Sequence, residues 1–329
     1  MKAVVLHAYS DLSKNLTVDT RPLPILKPGQ VLVRMAAAAI NPSDLVFLQQ
    51  QYGIQKALPV VPGFEGSGTV IAANAGLYGR WLIGRRVAAR APEDGDGTWA
   101  DYMSCHAAAC VPLKSSVSLE EGATLLVNPL TAWLLLQKVT REGHRAFVQT
   151  GASSAVGRMI ARLAKRLNIP AIHIVRRAES AEELRQAGAE HVLDSSAPDF
   201  SAALKALAHR LRATLALDAV GGSLSAVVAA ALPRGGQVTV YGALGGEACA
   251  ISPTDLIFQQ KSLTGFWLTD VLRTQGWVSR IRALSRVQDL LASELSTRIH
   301  TRLPLENIHE AFRLYKAHRS EGKVLLVFN

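Results

Sequence analysis

The chain has 329 residues, of which 49% are hydrophobic and 19% charged, with a formal net charge of +10. That length suits two domains, or one large domain with a second folded onto it, and so apolar a composition excludes a disordered chain. The charge admits an anionic small molecule, nucleic acid or a merely solvated surface; the lysines and arginines are dispersed, which argues against nucleic acid.

The longest apolar stretches, such as residues 123–136, are too short or too interrupted to span a bilayer. The opening MKAVVLHAYSD lacks a signal peptide's apolar region and a transit peptide's Arg/Ser pattern. A soluble, cytoplasmic protein with no membrane partner is expected. The three cysteines, Cys105, Cys110 and Cys249, fit free thiols in a reducing compartment. Cys105-His106 with Cys110 matches no strong zinc motif, so no metal is expected.

Residues 1–40 read as β-rich, with strands over 3–6 and 31–36 separated by Pro22, Pro24, Pro28 and Gly29. Asn41-Pro42-Ser43-Asp44 predicts a turn in which Ser43 or Asp44 caps a helix over 45–50, ended by Gln51-Tyr52-Gly53. Strands follow over 67–72, within 81–90 and after 97–102, a density that suggests a compact β barrel. Ser118 and Glu121 form a capping box ahead of a helical run over 123–126. Asn128-Pro129 interrupts it, the helical pattern resumes over 133–139, and the domain change is set near here.

From residue 146 strands and helices alternate. Residues 146–150 are β-prone, 151–157 are the small residues GASSAVG, 158–167 repeat apolar residues at helical spacing, and 171–175 are a second strand. This is a βαβ unit of the dinucleotide-binding kind, with Ser154 where the usual glycine motif often carries its middle glycine. Small residues let the backbone approach a pyrophosphate, and the helix N-terminus offers it unpaired N–H groups. The second strand ends in Arg176-Arg177, where NAD sites usually carry an acid. Two guanidinium groups suit a 2′-phosphate, so NADPH is the expected cofactor. Further strands over 191–194, 215–220 and 237–241 complete a doubly wound parallel sheet. That sheet brings Arg176, Gly221, Tyr241 and Gly242 around one crevice at the strands' carboxyl ends. Residues 275–294 read as a long helical region, 303–306 as a turn, and KVLLVF over 323–328 as a final strand.

This order of elements resembles the medium-chain dehydrogenase/reductase superfamily over essentially the whole chain. The resemblance implies an α/β fold: a Rossmann-type doubly wound parallel sheet over 122–264, and a GroES-like β-barrel catalytic domain over 1–121 and 265–329. The superfamily's zinc enzymes carry a catalytic Cys and a Gly-His-Glu motif. Here the corresponding stretches are Ala39-Ile40-Asn41-Pro42 and Gly63-Phe64-Glu65, which points to the zinc-independent branch. Within that branch, Asn41-Pro-Ser-Asp44, Gln51-Tyr-Gly53, Asn128-Pro129, Tyr241-Gly242 and Gly265-Phe-Trp-Leu268 resemble the mitochondrial-type trans-2-enoyl-CoA/ACP reductases. The first of these segments is shared with quinone oxidoreductases.

The resemblance implies site residues. Tyr52 matches the family's proton donor and Asn128 a polar residue near the reaction centre. Asn41 counts among the cofactor residues, Ser153, Ser154, Ala155 and Val156 match the pyrophosphate loop, and Arg176 matches the 2′-phosphate arginine. The family's second arginine is Ala178 here, with Arg177 as its substitute. Tyr241, Gly242, Ala243 and Leu244 match a cofactor-lining segment, Phe266, Trp267 and Leu268 a segment lining cofactor and substrate, and Lys323 a basic residue near the cofactor. A homodimer is implied as well. Asp44 and Glu65 read as structural rather than acid–base residues.

The expected function is NADPH-dependent reduction of an α,β-unsaturated carbonyl, a trans-2-enoyl thioester carried by CoA or acyl-carrier protein. One alternative is an NADPH:quinone oxidoreductase. The alternative from another class is a cofactor-binding, non-enzymatic or nucleic-acid-binding member of the superfamily.

Overall fold

The computed structural model describes residues 1–317 and 322–328. The chain runs β1 (Lys2–Leu6), α1 (Leu12–Asn15), β2 (Leu16–Thr20), β3 (Gln30–Ala39), α2 (Pro42–Leu48), β4 (Glu65–Asn74) and α3 (Gly76–Leu82). Next come β5 (Arg86–Arg90), β6 (Tyr102–His106), β7 (Cys110–Pro112), α4 (Leu119–Gly122) and α5 (Asn128–Arg141). The alternating region is β8 (Ala146–Gln149), α6 (Ala155–Arg166), β9 (Ala171–Val175), α7 (Ala178–Gln186), β10 (His191–Asp194), α8 (Phe200–Leu211), β11 (Ala213–Asp218), α9 (Ser223–Ala231) and β12 (Gln237–Val240). It ends with α10 (Pro253–Ile257), β13 (Ser262–Gly265), α11 (Leu268–Thr274) and α12 (Trp277–Leu290). The chain closes with β14 (Ile299–Pro304), α13 (Ile308–Ala317) and β15 (Lys323–Val327).

Two compact units result. The first comprises Met1–Asn128, Arg286–Leu291 and Ser296–Asn329; the second comprises Pro129–Ser285 and Ala292–Leu295. The second therefore extends past the residue-264 boundary expected from the sequence. The reason is physical: β13 closes the sheet edge over Ser262–Gly265 and α11 follows it directly.

The first unit is built on a seven-stranded sheet in the order β14-β15-β3-β4-β5-β7, with β6 also paired to β3. The ten-residue β3 and β4 form its spine, antiparallel to each other. Ala38, Ile40, Phe47, Leu48 and Trp99 fill one core together with Phe312, Val324 and Leu326. The turn expected over 303–306 falls at the end of β14 and in the 3-10 turn Leu305–Asn307; the partner of β14, β15, lies beyond the reach of any local pattern.

The second unit is a six-stranded sheet in the order β10-β9-β8-β11-β12-β13, and every pairing is parallel. In local numbering this is 3-2-1-4-5-6, the doubly wound dinucleotide-binding order. On one face Phe200 and Leu204 of α8 and Val228 of α9 cover Val148, Ile172 and Ile174. On the other, Ala181 and Leu184 of α7 pack with Ala152, Val175 and Val192. Helix α5 starts at Asn128 itself, so Asn128-Pro129 initiates this helix instead of interrupting one. Proline is tolerated in a first turn, where its missing N–H has no partner anyway. Among the described residues no helix is long and apolar enough to cross a membrane.

Candidate active site

In the second unit the strand order reverses between β8 and β11, and ligands of such sheets bind outside the strands' carboxyl ends at that point. A hydrogen-bonded latch lies there. Thr150 Oγ1 donates to Asp218 Oδ1 at 2.5 Å, and Ser225 Oγ donates to Asp218 Oδ2 at 2.5 Å. The N–H groups of Val220 and Gly221 reach Asp218 Oδ1 at 2.9 and 3.1 Å. Asp218 is fully buried, and its oxygens have four donors in compensation. The sequence reading missed Thr150, Asp218 and Ser225; an acid closing a strand just ahead of Gly221-Gly222 was the available signal.

The turn after β8 carries Ser153 and Ser154, and Ala155 and Val156 open α6. Ser154 is the N-cap, its Oγ accepting from Gly157 N at 3.1 Å. Gly151 adopts φ +59°, a left-handed conformation that favours glycine. Gly157 is required by space: a Cβ there would lie 2.5 Å from Gly151 O and 2.7 Å from the Ala152 Cα. The first turn of α6 thus lies directly against the loop, leaving backbone N–H groups at its mouth, as a pyrophosphate needs.

Arg176 follows the last residue of β9, and Arg177 is the N-cap residue of α7; both are exposed. Tyr241 and Gly242 follow β12, and the half-buried Gly242 leaves no room for a Cβ, which would stand 2.7 Å from Ala219 O. Ala243 and Leu244 are exposed, with Leu244 N bonded to Ala219 O at 3.1 Å. The Tyr241 hydroxyl is buried and has no hydrogen-bond partner among the described residues. Burial pushes its pKa up, with the Asp218 charge adding to the effect, so it stays a neutral donor. An orphaned donor next to the switch point fits a ligand group that completes its hydrogen bonding. Phe266 and Trp267 line an open hollow of about 420 Å³ together with Val240 and Val271, and Leu268 begins α11.

The first unit gathers the remaining candidates. Asn41 precedes α2, and its side chain bridges two charges: Nδ2 donates to Glu65 Oε1 at 3.0 Å, and Oδ1 accepts from the Lys323 ammonium. Lys323 also donates to Ile40 O at 3.2 Å and is only 3% exposed, so it is a buried cation and not a solvated strand end. Asp44 caps α2 from its third position, accepting Asn41 N at 2.7 Å and Phe64 N at 3.1 Å. Ser43 makes no such cap; its Oγ is buried without a partner among the described residues.

Glu65 Oε2 accepts the N–H groups of Leu126 and Val127 at 2.8 and 2.9 Å, the two residues just ahead of Asn128. Burial raises the Glu65 pKa, opposed by the Lys323 charge and by these donors. Both acids are therefore fully buried acceptors that shape the site. Asn128 is 6% exposed at the start of α5. The ring of Tyr52, half-buried, lies on that of Phe64 with centroids 4.7 Å apart. Asp44 thus holds the backbone of the residue whose ring Tyr52 contacts.

A parallel sheet wound in this order, with a capped glycine-bearing turn at its switch point and a β-rich unit beside it in sequence, defines a two-domain dinucleotide-binding oxidoreductase. Residues 27–115 match the alcohol dehydrogenase GroES-like domain, and residues 155–285 match the zinc-binding dehydrogenase family. The mitochondrial enoyl-[acyl-carrier-protein] reductase of Arabidopsis thaliana is 31% identical over 283 residues, covering 84% of this chain and 73% of the relative. The crystal structure of a candidate NADPH:quinone reductase from Mesorhizobium loti is 34% identical, with a TM-score of 0.91 over 100% of this chain and 98% of that one. A mycobacterial protein solved with NADPH is 25% identical, with a TM-score of 0.83 over 100% of both chains. The chain belongs to the medium-chain dehydrogenase/reductase superfamily.

Proposed function

We propose that this chain is an NADPH-dependent reductase of α,β-unsaturated carbonyls, acting on trans-2-enoyl thioesters. Bound NADPH supplies the hydride, delivered to the substrate's β-carbon. The chain's own residues bind, orient and protonate. The loop from Ser153 to Val156 holds the pyrophosphate, Arg176 and Arg177 the 2′-phosphate, and Tyr241 to Leu244 with Phe266 to Leu268 the length of the cofactor. Asn41 and Lys323 brace the nicotinamide side.

Negative charge develops on the thioester oxygen as the hydride arrives, and a donor aimed at that oxygen lowers the barrier; Asn128 is assigned this role. The α-carbon must gain a proton, and Tyr52 is assigned to give it, since a phenol is neutral at pH 7. The reaction needs no metal where the cofactor supplies the hydride, and Ile40-Asn41 and Phe64-Glu65 offer neither the thiolate nor the imidazole of a zinc site.

The observation that carries the enoyl reading is Tyr52, its ring tilted at 41° against that of Phe64, whose N–H is fixed by buried Asp44. A quinone reductase needs the cofactor and a pocket but no tyrosine donor, and the Mesorhizobium relative's name keeps that second reading in view. Tyr52→Phe separates them. Turnover of an enoyl-CoA is expected to fall at least ~10-fold, while quinone turnover is unchanged. Undiminished enoyl turnover in the variant would remove Tyr52 from the mechanism.

The working form is proposed to be a homodimer, formed along the open edge of β13, where Ile257 and Phe258 of the adjoining segment are 65% and 66% exposed. The excess of positive charge suits either CoA phosphates or an acidic acyl-carrier protein. Three free thiols fit a cytoplasmic setting.

A further inference from the structure

The second unit contains another hollow, which the proposed reaction does not use. It has a volume of about 610 Å³ and lies between α6 and α7, bordered by residues 168–171 and 187–191. These border segments lead into the amino ends of β9 and β10, whereas the dinucleotide turn lies at the carboxyl ends. Arg158, Arg162 and Lys165 line it from α6, spaced i, i+4 and i+7 so that they share one helix face. Its only carboxylates, Glu183 and Glu190, have side chains 63% and 86% exposed, and Glu183 Oε2 pairs with Arg158 Nη2 at 3.4 Å.

Two observations point to an anion. Arg162 is half-buried with its Nε donating to Glu294 O at 2.7 Å, and burial and the Arg158 charge lower its pKa against the opposing Glu294 charge. The second is His173, 4% exposed in the lining of the hollow. Its Nδ1 stands 2.6 Å from Gln149 Nε2, which also donates to Gly157 O at 3.1 Å. An amide nitrogen only donates, so Nδ1 accepts and the ring hydrogen is on Nε2. Among the described residues no acceptor meets Nε2. Burial holds His173 neutral at pH 7, its pKa lowered to about 4, so it presents one N–H donor and no charge.

We infer that this hollow binds a small molecule through a phosphoryl group, with Arg162 and Lys165 on its oxygens and His173 Nε2–H as a further donor. The planar fork of arginine matches phosphoryl oxygens in bidentate fashion. A volume of this size accommodates more than the anion alone.

The test uses whole protein already saturated with NADPH, with saturation established first by its own titration, so that failure of the cofactor assignment is seen separately. Inorganic phosphate is then titrated calorimetrically at constant ionic strength set with chloride. One phosphate is expected to bind, at least ~10-fold more weakly in Arg162→Gln/Lys165→Gln, a difference of about 1.4 kcal/mol. Arg158 is left intact because its Nε holds Ser153 O at 3.0 Å in the cofactor turn. In the wild type the His173 Nε2–H proton resonance should shift with the same affinity, a readout that needs no variant. The inference is overturned if phosphate does not bind the saturated protein, if the double variant binds it equally well, or if acetate binds as tightly.

Discussion

The ammonium of Lys323 donates to the side-chain oxygen of Asn41, 282 residues away in sequence. Asn41 passes the contact on to Glu65, and Glu65 to the N–H groups of Leu126 and Val127. One buried cation therefore ties the last strand, the start of α2, the start of β4 and the segment leading to Asn128 into a single network. Glu65 and Asp44 both lie close enough to favour its charge.

Removing that cation should be costly. Lys323→Met keeps the length of the side chain but leaves Glu65 and Asp44 without their buried counter-charge. Breaking a buried charge network from one side costs about 3–5 kcal/mol. Urea unfolding followed by circular dichroism should give a midpoint well below the wild type; an unchanged midpoint would mean that Lys323 balances no charge.

The same network predicts a pH profile. Burial raises the Asp44 pKa to about 7 from an ordinary 3.8. A folded pKa above the unfolded one means that the contribution is full below pH 3.8 and is lost as pH climbs through 7. Lys323 is lowered by burial to about 8 from 10.5, so its contribution is present above 10.5 and is lost as pH falls through 8. The two together place the weakest contribution to stability between about pH 7 and 8, with recovery on either side. Unfolding midpoints of wild type and Asp44→Asn, measured from pH 5 upward, should diverge along the acid limb and lose their difference in slope above about pH 7. Parallel profiles would contradict the buried-acid assignment.

The turn of the second unit is tested at Gly157. An added methyl meets backbone on two sides, Gly151 O and Ala152 Cα, neither of which can rotate away. Gly157→Ala should therefore cost about 1–3 kcal/mol of stability and weaken NADPH binding at least ~10-fold, as the loop is pushed from the helix. Fluorescence titration of NADPH measures this; wild-type affinity would show that the loop does not approach the cofactor.

The second unit was largely legible in the sequence because its signals are local. Small residues over 151–157 sit between an apolar strand and an amphipathic helix, and Arg176-Arg177 closes the next strand. The first unit was less so. Nothing local marks Lys323 as a buried cation until Asn41 is placed beside it, and β14 becomes a strand only through pairing with β15. Helix α3, in a stretch for which no element was read, carries Gly76 and Gly79, and Gly79 is kept small by Ala75 Cβ, which an added Cβ would approach to 2.5 Å. The Asp218 latch escaped notice because Thr150 and Ser225 are ordinary residues until three chain segments converge on one carboxylate.

The most direct measurement is steady-state NADPH oxidation with crotonyl-CoA, a longer enoyl-CoA and a quinone side by side, repeated with NADH and with Arg176→Ala. Rapid turnover of the enoyl-CoAs is expected, lost with NADH and weakened at least ~10-fold in KM for NADPH by the arginine substitution. Turnover of the quinone alone, or equal use of NADH, would contradict the enoyl assignment in the first case and the 2′-phosphate role of Arg176 in the second.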